Sequence, residues 1–334
     1  MFKLSLLDLV PVVEGSNVST ALREAGKLAA HAEAEGYHRY WVAEHHGMRG
    51  IASAATAVVL AHVGQATSSI RIGAGGIMLP NHAPLIIAEQ FGTLDALFPG
   101  RVDLGLGRAP GSDQRVAQAM RRTLNSGPDD FPRSVVELQA YFAGDDRFGF
   151  VATPGEGAEV PIWILGSSLY GAQLAAMLGL PYAFASHFAP GLLDEALAIY
   201  RRDFRPSAQL DRPYAMAGYN VIAADTRAEA QLLATSQQQS FVRLRTGQPG
   251  RMPPPLAGYL DALPEGARAM LNDVLSVSSI GTSENVARDL NAFADRTGVD
   301  EIMVTGQIYD ADARRRSFSI AMEAYRSILT PATA

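Results

Sequence analysis

Trp41-Val42-Ala43-Glu44-His45-His46-Gly47 reads as a short apolar strand that surfaces on a carboxylate and two imidazoles. Imidazole titrates near neutrality, so a histidine at a strand end is either a proton handler or a plain polar terminus. The same pattern, an apolar strand closing on small or polar residues and followed by a helix, repeats along the chain. Strands are expected at 4–9, 40–43, 70–74, 101–106, 161–165, 182–186, 215–223 and 301–305. Helices are expected at 19–36, 53–67, 84–97, 113–123, 131–142, 169–178, 192–204, 227–243 and 313–328, with Ser19 or Thr20 capping the first. Eight strand–helix units, with the same repeat at both ends, favour a closed (β/α)8 TIM barrel over an open doubly wound sheet. We read residues 1–334 as a single barrel domain.

Composition narrows the function class. A chain of 334 residues with 48% hydrophobic and 19% charged content has the makings of a substantial core. A formal charge of −6 offers no basic face for nucleic acid or anionic lipid. The absence of cysteine excludes disulfides, thiolate metal sites and cysteine nucleophiles, and suits a cytoplasmic enzyme. No signal peptide is expected, and no apolar run reaches the roughly 18 residues that span a bilayer. Two stretches break the rhythm, 144–159 and the Pro-rich 247–265. The second extends the last long connection and is either a mobile active-site lid or a floppy insertion.

A barrel of this kind builds its site at the C-terminal ends of the strands. Asp8, Glu44-His45-His46, Gly75-Gly76, Asn81-His82, Gly107-Arg108, Gly166-Ser167-Ser168 and Ser186-His187 all fall there. Gly166-Ser167-Ser168 opens a helix, where free N–H groups and two hydroxyls make a phosphate cradle, and Arg108 can add a guanidinium fork. The bland alternative makes Ser168 a simple N-cap. No Walker pattern is present, and Gly105-Leu106-Gly107 is only a fragment of a dinucleotide fingerprint, so a mononucleotide phosphate fits better than NAD. Gly75-Gly76 suits either close approach of a planar ligand or a β-bulge. No metal site is expected: no HxH or HExxH spacing occurs, although His82, His187 and Asp8 could converge with His45. No GxSxG elbow is present.

The runs WVAEHHGMRGIAS, RIGAGGIMLPNHAPLIIAEQFGTLDALFPGR, DLGLGRAPGSD, WILGSSLYGAQLAAMLGLPYAFASHF and IGTSENV resemble the bacterial luciferase-like, flavin-dependent monooxygenases, in their single-chain, flavin mononucleotide-using branch. The resemblance implies a barrel that binds reduced FMN (FMNH2), reacts it with O2 to a C4a-(hydro)peroxyflavin and oxygenates a small organic substrate. It assigns the acid–base work to His45, with Glu44 beside it, and leaves His46 structural. It places a non-proline cis peptide after the third strand, at Gly75-Gly76, against the flavin ring. Arg108 and Arg133 fall on phosphate arginines, and Ser167 and Ser168 on phosphate hydroxyls. Where many members have a further hydroxyl residue this chain has Gly171, whose backbone N–H is left to hold the phosphate. Gly107 stands where the true luciferase has a cysteine, so light emission is not implied. The resemblance also favours the lid reading of 247–265.

A separate flavin reductase, O2 and a small-molecule substrate are the implied partners, with a homodimer expected and neither nucleic acid nor membrane. An Ala/Arg-rich, Lys-poor composition hints at a GC-rich genome and a natural-product substrate. Two alternatives stand beside this reading. One is a non-catalytic flavin-binding or subunit-stabilising protein, and the other a deazaflavin (F420)-dependent dehydrogenase on the same barrel.

Overall fold

The computed structural model describes residues 1–109, 116, 119–120 and 130–330. Its strands are β1 (Lys3–Asp8), β2 (Arg39–Val42), β3 (Arg71–Met78), β4 (Val102–Gly107), β5 (Ile162–Gly166), β6 (Tyr182–Phe184), β7 (Ala215–Ala223), β8 (Ser278–Gly281) and β9 (Glu301–Thr305). All pairings between them are parallel. β1 through β7 follow one another around the sheet, and β9 bridges β7 to β1 and closes an eight-stranded barrel. The structure is therefore the (β/α)8 barrel that the alternation predicts. Ala217 pairs with Phe184 and Ile302, whereas Asn220 pairs with Ser278 and Thr305. β8 thus takes the edge of β7 that β6 vacates.

The helices are α1 (Val18–Glu35), α2 (Thr56–Gln65), α3 (Pro84–Leu97), α4 (Phe131–Phe142), α5 (Leu169–Leu178), α6 (Leu193–Asp203), α7 (Arg227–Arg245), α8 (Tyr259–Ala262), α9 (Glu265–Val274), α10 (Ser283–Thr297) and α11 (Ala311–Leu329). They shield strands buried almost along their whole length, as continuous apolar runs in a parallel sheet require. Period-two alternation splits each strand between two cores. Leu4, Leu6, Tyr40, Val42, Ile162 and Ile164 belong to the layer under the helices, and Leu7, Trp41, Trp163, Met216 and Met303 fill the barrel itself. Trp41 and Trp163 meet edge-on at 5.2 Å inside it.

Below the tryptophans the N-terminal mouth is sealed by ions. Arg39 binds Asp103 at 2.7 Å and Glu301 at 3.0 Å, Arg71 binds Asp103 at 2.6 Å, and Tyr214 donates to Glu301 at 2.8 Å. Buried charges persist only when paired in this way.

Several boundaries differ from expectation. β3 runs on to Met78, with Gly75-Gly76 inside the strand, because bare backbone is what its neighbours admit. A Cβ on Gly76 would lie 2.7 Å from the Gly105 carbonyl oxygen, and one on Gly105 2.3 Å from that of Ala74. Asn17, not Ser19 or Thr20, caps α1 by accepting from the Thr20 N–H at 3.0 Å. β8, α9 and α10 were not expected. Four-residue β8 is too short to show periodicity, and its Ser278 and Ser279 read as a turn. The helix expected over 113–123 lies almost wholly outside the described residues. Among the described residues no helix is long and apolar enough to cross a membrane.

Candidate functional site

The strand ends supply most of the expected side chains, but they point in different directions. Asp8 is turned outward. Its carboxylate accepts from the Tyr40 hydroxyl at 2.5 Å, from Arg314 of α11 at 2.8 Å and from the Val10 N–H at 2.8 Å. The Tyr40 hydroxyl also reaches the Ala25 carbonyl of α1, which places this cluster between barrel and helices. Asp8 is thus a tie between layers and does not converge with the histidines. Val10, just beyond it, is held at φ +52°, a left-handed conformation unusual for a β-branched residue.

Glu44 is almost fully buried at the end of β2 and gathers two imidazoles. Its Oε1 lies 2.7 Å from His46 Nε2 and 2.9 Å from His82 Nε2. Burial pushes the Glu44 carboxyl up, but the hydrogen bonds from His46 and His82 outweigh it and hold the group below the usual carboxylate range. These three residues are donors of the type metals take, and their ligand atoms fall within 4.8 Å of one another. Zinc bonds of about 2.0 Å would separate tetrahedral ligands by about 3.3 Å. The two distances from Glu44 to its histidines are shorter and match N–H···O hydrogen bonds.

The charge of His45, the next residue after Glu44, bears on His187. Across the mouth, His187 follows β6 and packs on Gly218 of β7, where a Cβ would come 2.1 Å from its Nδ1. Asn220 donates to the His187 carbonyl at 2.5 Å and is itself held by Gln237 at 2.8 Å. Burial, with the nearby His45 charge adding to it, holds the His187 imidazole down to about 4, so it is neutral at physiological pH. Its buried Nδ1 makes no hydrogen bond. The sequence places His82 and His187 at strand ends and offers them, with Asp8, as groups that could converge with His45. Nothing in their spacing shows that His82 meets Glu44.

Gly75-Gly76 is a cis peptide, as the family resemblance implies, though within β3 and not after it. A Cβ on Gly75 would meet Leu7 Cδ1 at 2.9 Å and Trp41 Cε3 at 3.1 Å, so this stretch of wall carries no side chain. Gly107 is similarly confined, with Met78 Sδ 2.8 Å from where a Cβ would stand.

At α5 the cradle takes shape. Ser168 occupies the N-cap position in extended conformation, yet its side chain makes no capping bond, so the bland N-cap reading does not account for its hydroxyl. The first-turn N–H groups, that of Gly171 among them, have no partner within the helix. A Cβ at Gly171 would lie 3.3 Å from the Tyr182 ring, a tight contact. Arg108 lies with its guanidinium 4.2 Å from the Tyr170 ring centre, one residue into α5. The arginine after β4 thereby reaches the first turn of the helix that Ser167 and Ser168 precede. Arg133 is not brought to them. Its side chain is 89% exposed, with Asp130 at 3.8 Å, in an outer groove shared with Arg147 and Phe148.

Segment 247–265 is fastened by backbone, at Met252, to the loop that follows β1. Met252 bonds to Val12 and Glu14, and Val12 in turn to Gly50. Arg243 pairs with Glu14 at 2.7 Å, and Arg251 donates to the Ser16 carbonyl at 2.9 Å. The loops after β1 and β2 and this segment therefore form one roof, which disfavours a floppy insertion.

Comparison with known proteins agrees with this geometry. The family model described as luciferase-like monooxygenase matches residues 4–301. A relative named luciferase-like monooxygenase from Escherichia coli (strain K12) is 51% identical over 326 residues, 97% of each chain. The crystal structure of apo-MsnO8 superposes with a TM-score of 0.88 at 34% identity, covering 98% of this chain and 99% of that one. Two more distant barrels show the fold alone, each covering 97% of this chain. One is the oxygenating constituent of 3,6-diketocamphane monooxygenase from Pseudomonas putida in complex with FMN, with TM-score 0.73, 17% identity and 97% of its chain covered. The other is an F420-dependent secondary alcohol dehydrogenase with an F420-acetone adduct, with TM-score 0.69, 16% identity and 98% of its chain covered. The chain belongs to the luciferase-like monooxygenase family.

Proposed function

We propose that this protein is a monooxygenase that takes reduced FMN from a separate flavin reductase and inserts one oxygen atom of O2 into a small organic substrate. The observation that carries the reading is the grouping of Arg108, Ser167, Ser168 and the free end of α5 at the same barrel face as the side-chain-free Gly75-Gly76 wall. The first supplies positive potential and N–H donors for a phosphate, the second a flat surface for a ring. A mononucleotide flavin has both parts. When bound, reduced flavin supplies the two electrons that activate O2, one oxygen atom going to substrate and the other to water.

The chain's own residues do the rest. Arg108 and the α5 terminus anchor the phosphate end. Leu7, Trp41 and Leu165 back the glycine wall and exclude water from beneath it. His45 holds or moves a proton at the mouth, opposite the neutral His187. The roof formed by 10–14, 50–52 and 252 shields the reacting end from bulk water.

Anaerobic titration of the protein with reduced FMN and with reduced F420, monitored by fluorescence, tests the reading. Tighter binding of FMN, weakened by about 10- to 100-fold in Arg108→Ala as expected for one charged hydrogen-bonding group, supports it. Preference for F420, or an Arg108→Ala variant that binds FMN as well as the parent, overturns it.

A further inference from the structure

His82 lies outside the Glu44-His45-His46 run and has no part in the function proposed above, yet Glu44 holds it as closely as it holds His46. We propose that Glu44 is a positioning residue that fixes the tautomers of His46 and His82 together, and that His82 thereby belongs to the acid–base machinery of the pocket. The proposal rests on the monooxygenase reading only for what the protons are used for.

The argument is one of donors and acceptors. An ionised carboxylate can only accept, so both Nε2 atoms, at 2.7 and 2.9 Å from the same Oε1, must carry hydrogen. In each neutral ring Nδ1 is then the bare nitrogen and the acceptor. Without such a partner an imidazole exchanges between tautomers, and a fixed second-sphere carboxylate ends the exchange. The rings are 6.4 Å apart and tilted by 52°, so the shared oxygen, not ring stacking, relates them. Burial of Glu44 keeps water from competing for that oxygen.

The geometry also joins two parts of the site. Glu44 and His46 follow β2, whereas His82 follows the Leu79–Asn81 turn that leaves β3, shortly after Gly75-Gly76. A proton accepted at Nδ1 of either ring leaves the Nε2–H···O bond intact and sets the new positive charge against the Glu44 carboxylate. Its release restores the neutral ring with the same tautomer. The pair can therefore take up and return a proton without reorienting.

The test uses the full-length protein with 15N-labelled histidine, the two rings being assigned with His46→Gln and His82→Gln. Side-chain 15N spectra at pH 8 are expected to show Nε2–H for both rings in the parent and mixed tautomers in Glu44→Gln, with unchanged near-ultraviolet circular dichroism. Nδ1–H in the parent, or tautomers untouched by Glu44→Gln, overturns the positioning claim. The rate at which O2 oxidises protein-bound reduced FMN, read against the spontaneous oxidation of free reduced FMN, forms the second arm. His82→Ala is expected to lower the rate by about 100-fold and displace its pH profile. A His82→Ala profile superimposable on the parent's overturns the acid–base claim. Oxidation in the presence of the parent indistinguishable from that of free reduced FMN refutes both the monooxygenase reading and this role for His82, while the tautomer arm separately decides the positioning claim.

Discussion

Arg314 in the last helix donates a 2.8 Å hydrogen bond to Asp8 at the end of the first strand, and so ties the two ends of the chain together behind the barrel wall. The pair is buried, with Tyr40 satisfying the other carboxylate oxygen. A strand-end aspartate that seems addressed to the pocket therefore serves the layer between strands and helices.

Asp8→Asn should accordingly act on folding. Removing one partner of a buried ion pair costs about 3–5 kcal/mol because the other charge is left uncompensated. Urea denaturation should show a loss of that order, with affinity for reduced FMN unchanged in the folded fraction. A weakened affinity at unchanged stability would return Asp8 to the pocket.

Acid should destabilise the protein through two histidines. His187 and His38 are each held down to about 4 in the folded state, by burial foremost, then by His45 and Arg39 respectively. An unfolded histidine titrates near 6.5, so below that pH the unfolded chain binds more protons than the folded one. Their contribution is complete above about pH 6.5 and is lost as the pH falls toward 4. Each proton contributes a slope of up to about 1.4 kcal/mol per pH unit. Denaturation midpoints measured between pH 7 and 4.5 should fall, and His187→Gln should flatten the fall by roughly half. An unchanged slope in that variant would show that His187 is protonated in the fold.

Gly105→Ala should disrupt the β3–β4 seam. Its Cβ would lie 2.3 Å from the Ala74 carbonyl oxygen and 2.7 Å from Leu165 Cδ1, and backbone yields less readily than side chain. Overpacking of this kind costs about 1–3 kcal/mol. Since the same seam carries Gly76, FMN affinity should fall with stability. Thermal melts and flavin titration check both, and a variant as stable as the parent would contradict the packing described.

Arg133→Ala should leave FMN affinity within about twofold of the parent, because the side chain is almost entirely in water and its ion pair with Asp130 is a surface contact. Isothermal titration beside Arg108→Ala makes the comparison. A loss as large as that of Arg108→Ala would bring Arg133 back to the phosphate.

The alternation of apolar strands with helices, written in burial demands that each segment meets locally, was enough to predict the barrel. β7 and β9, α3, α4 and α5 have the bounds that pattern implies. The cradle was legible for the same reason: Gly166-Ser167-Ser168 opening a helix is a local arrangement, and its N–H groups are free whatever surrounds them. β8 and the helices around it were not legible, since a four-residue strand is recognised only by the β7 edge it occupies. Direction was also a tertiary matter. Whether Asp8 turns outward, Arg133 lies in water, or Glu44 engages His82 as well as His46 depends on which distant side chains the closed barrel brings near. Sequence by itself determined which chemistry is available and at which end of the barrel it gathers. Only the tertiary structure decided which groups share a proton, because hydrogen bonds are set by distances between strands that no spacing along one chain encodes.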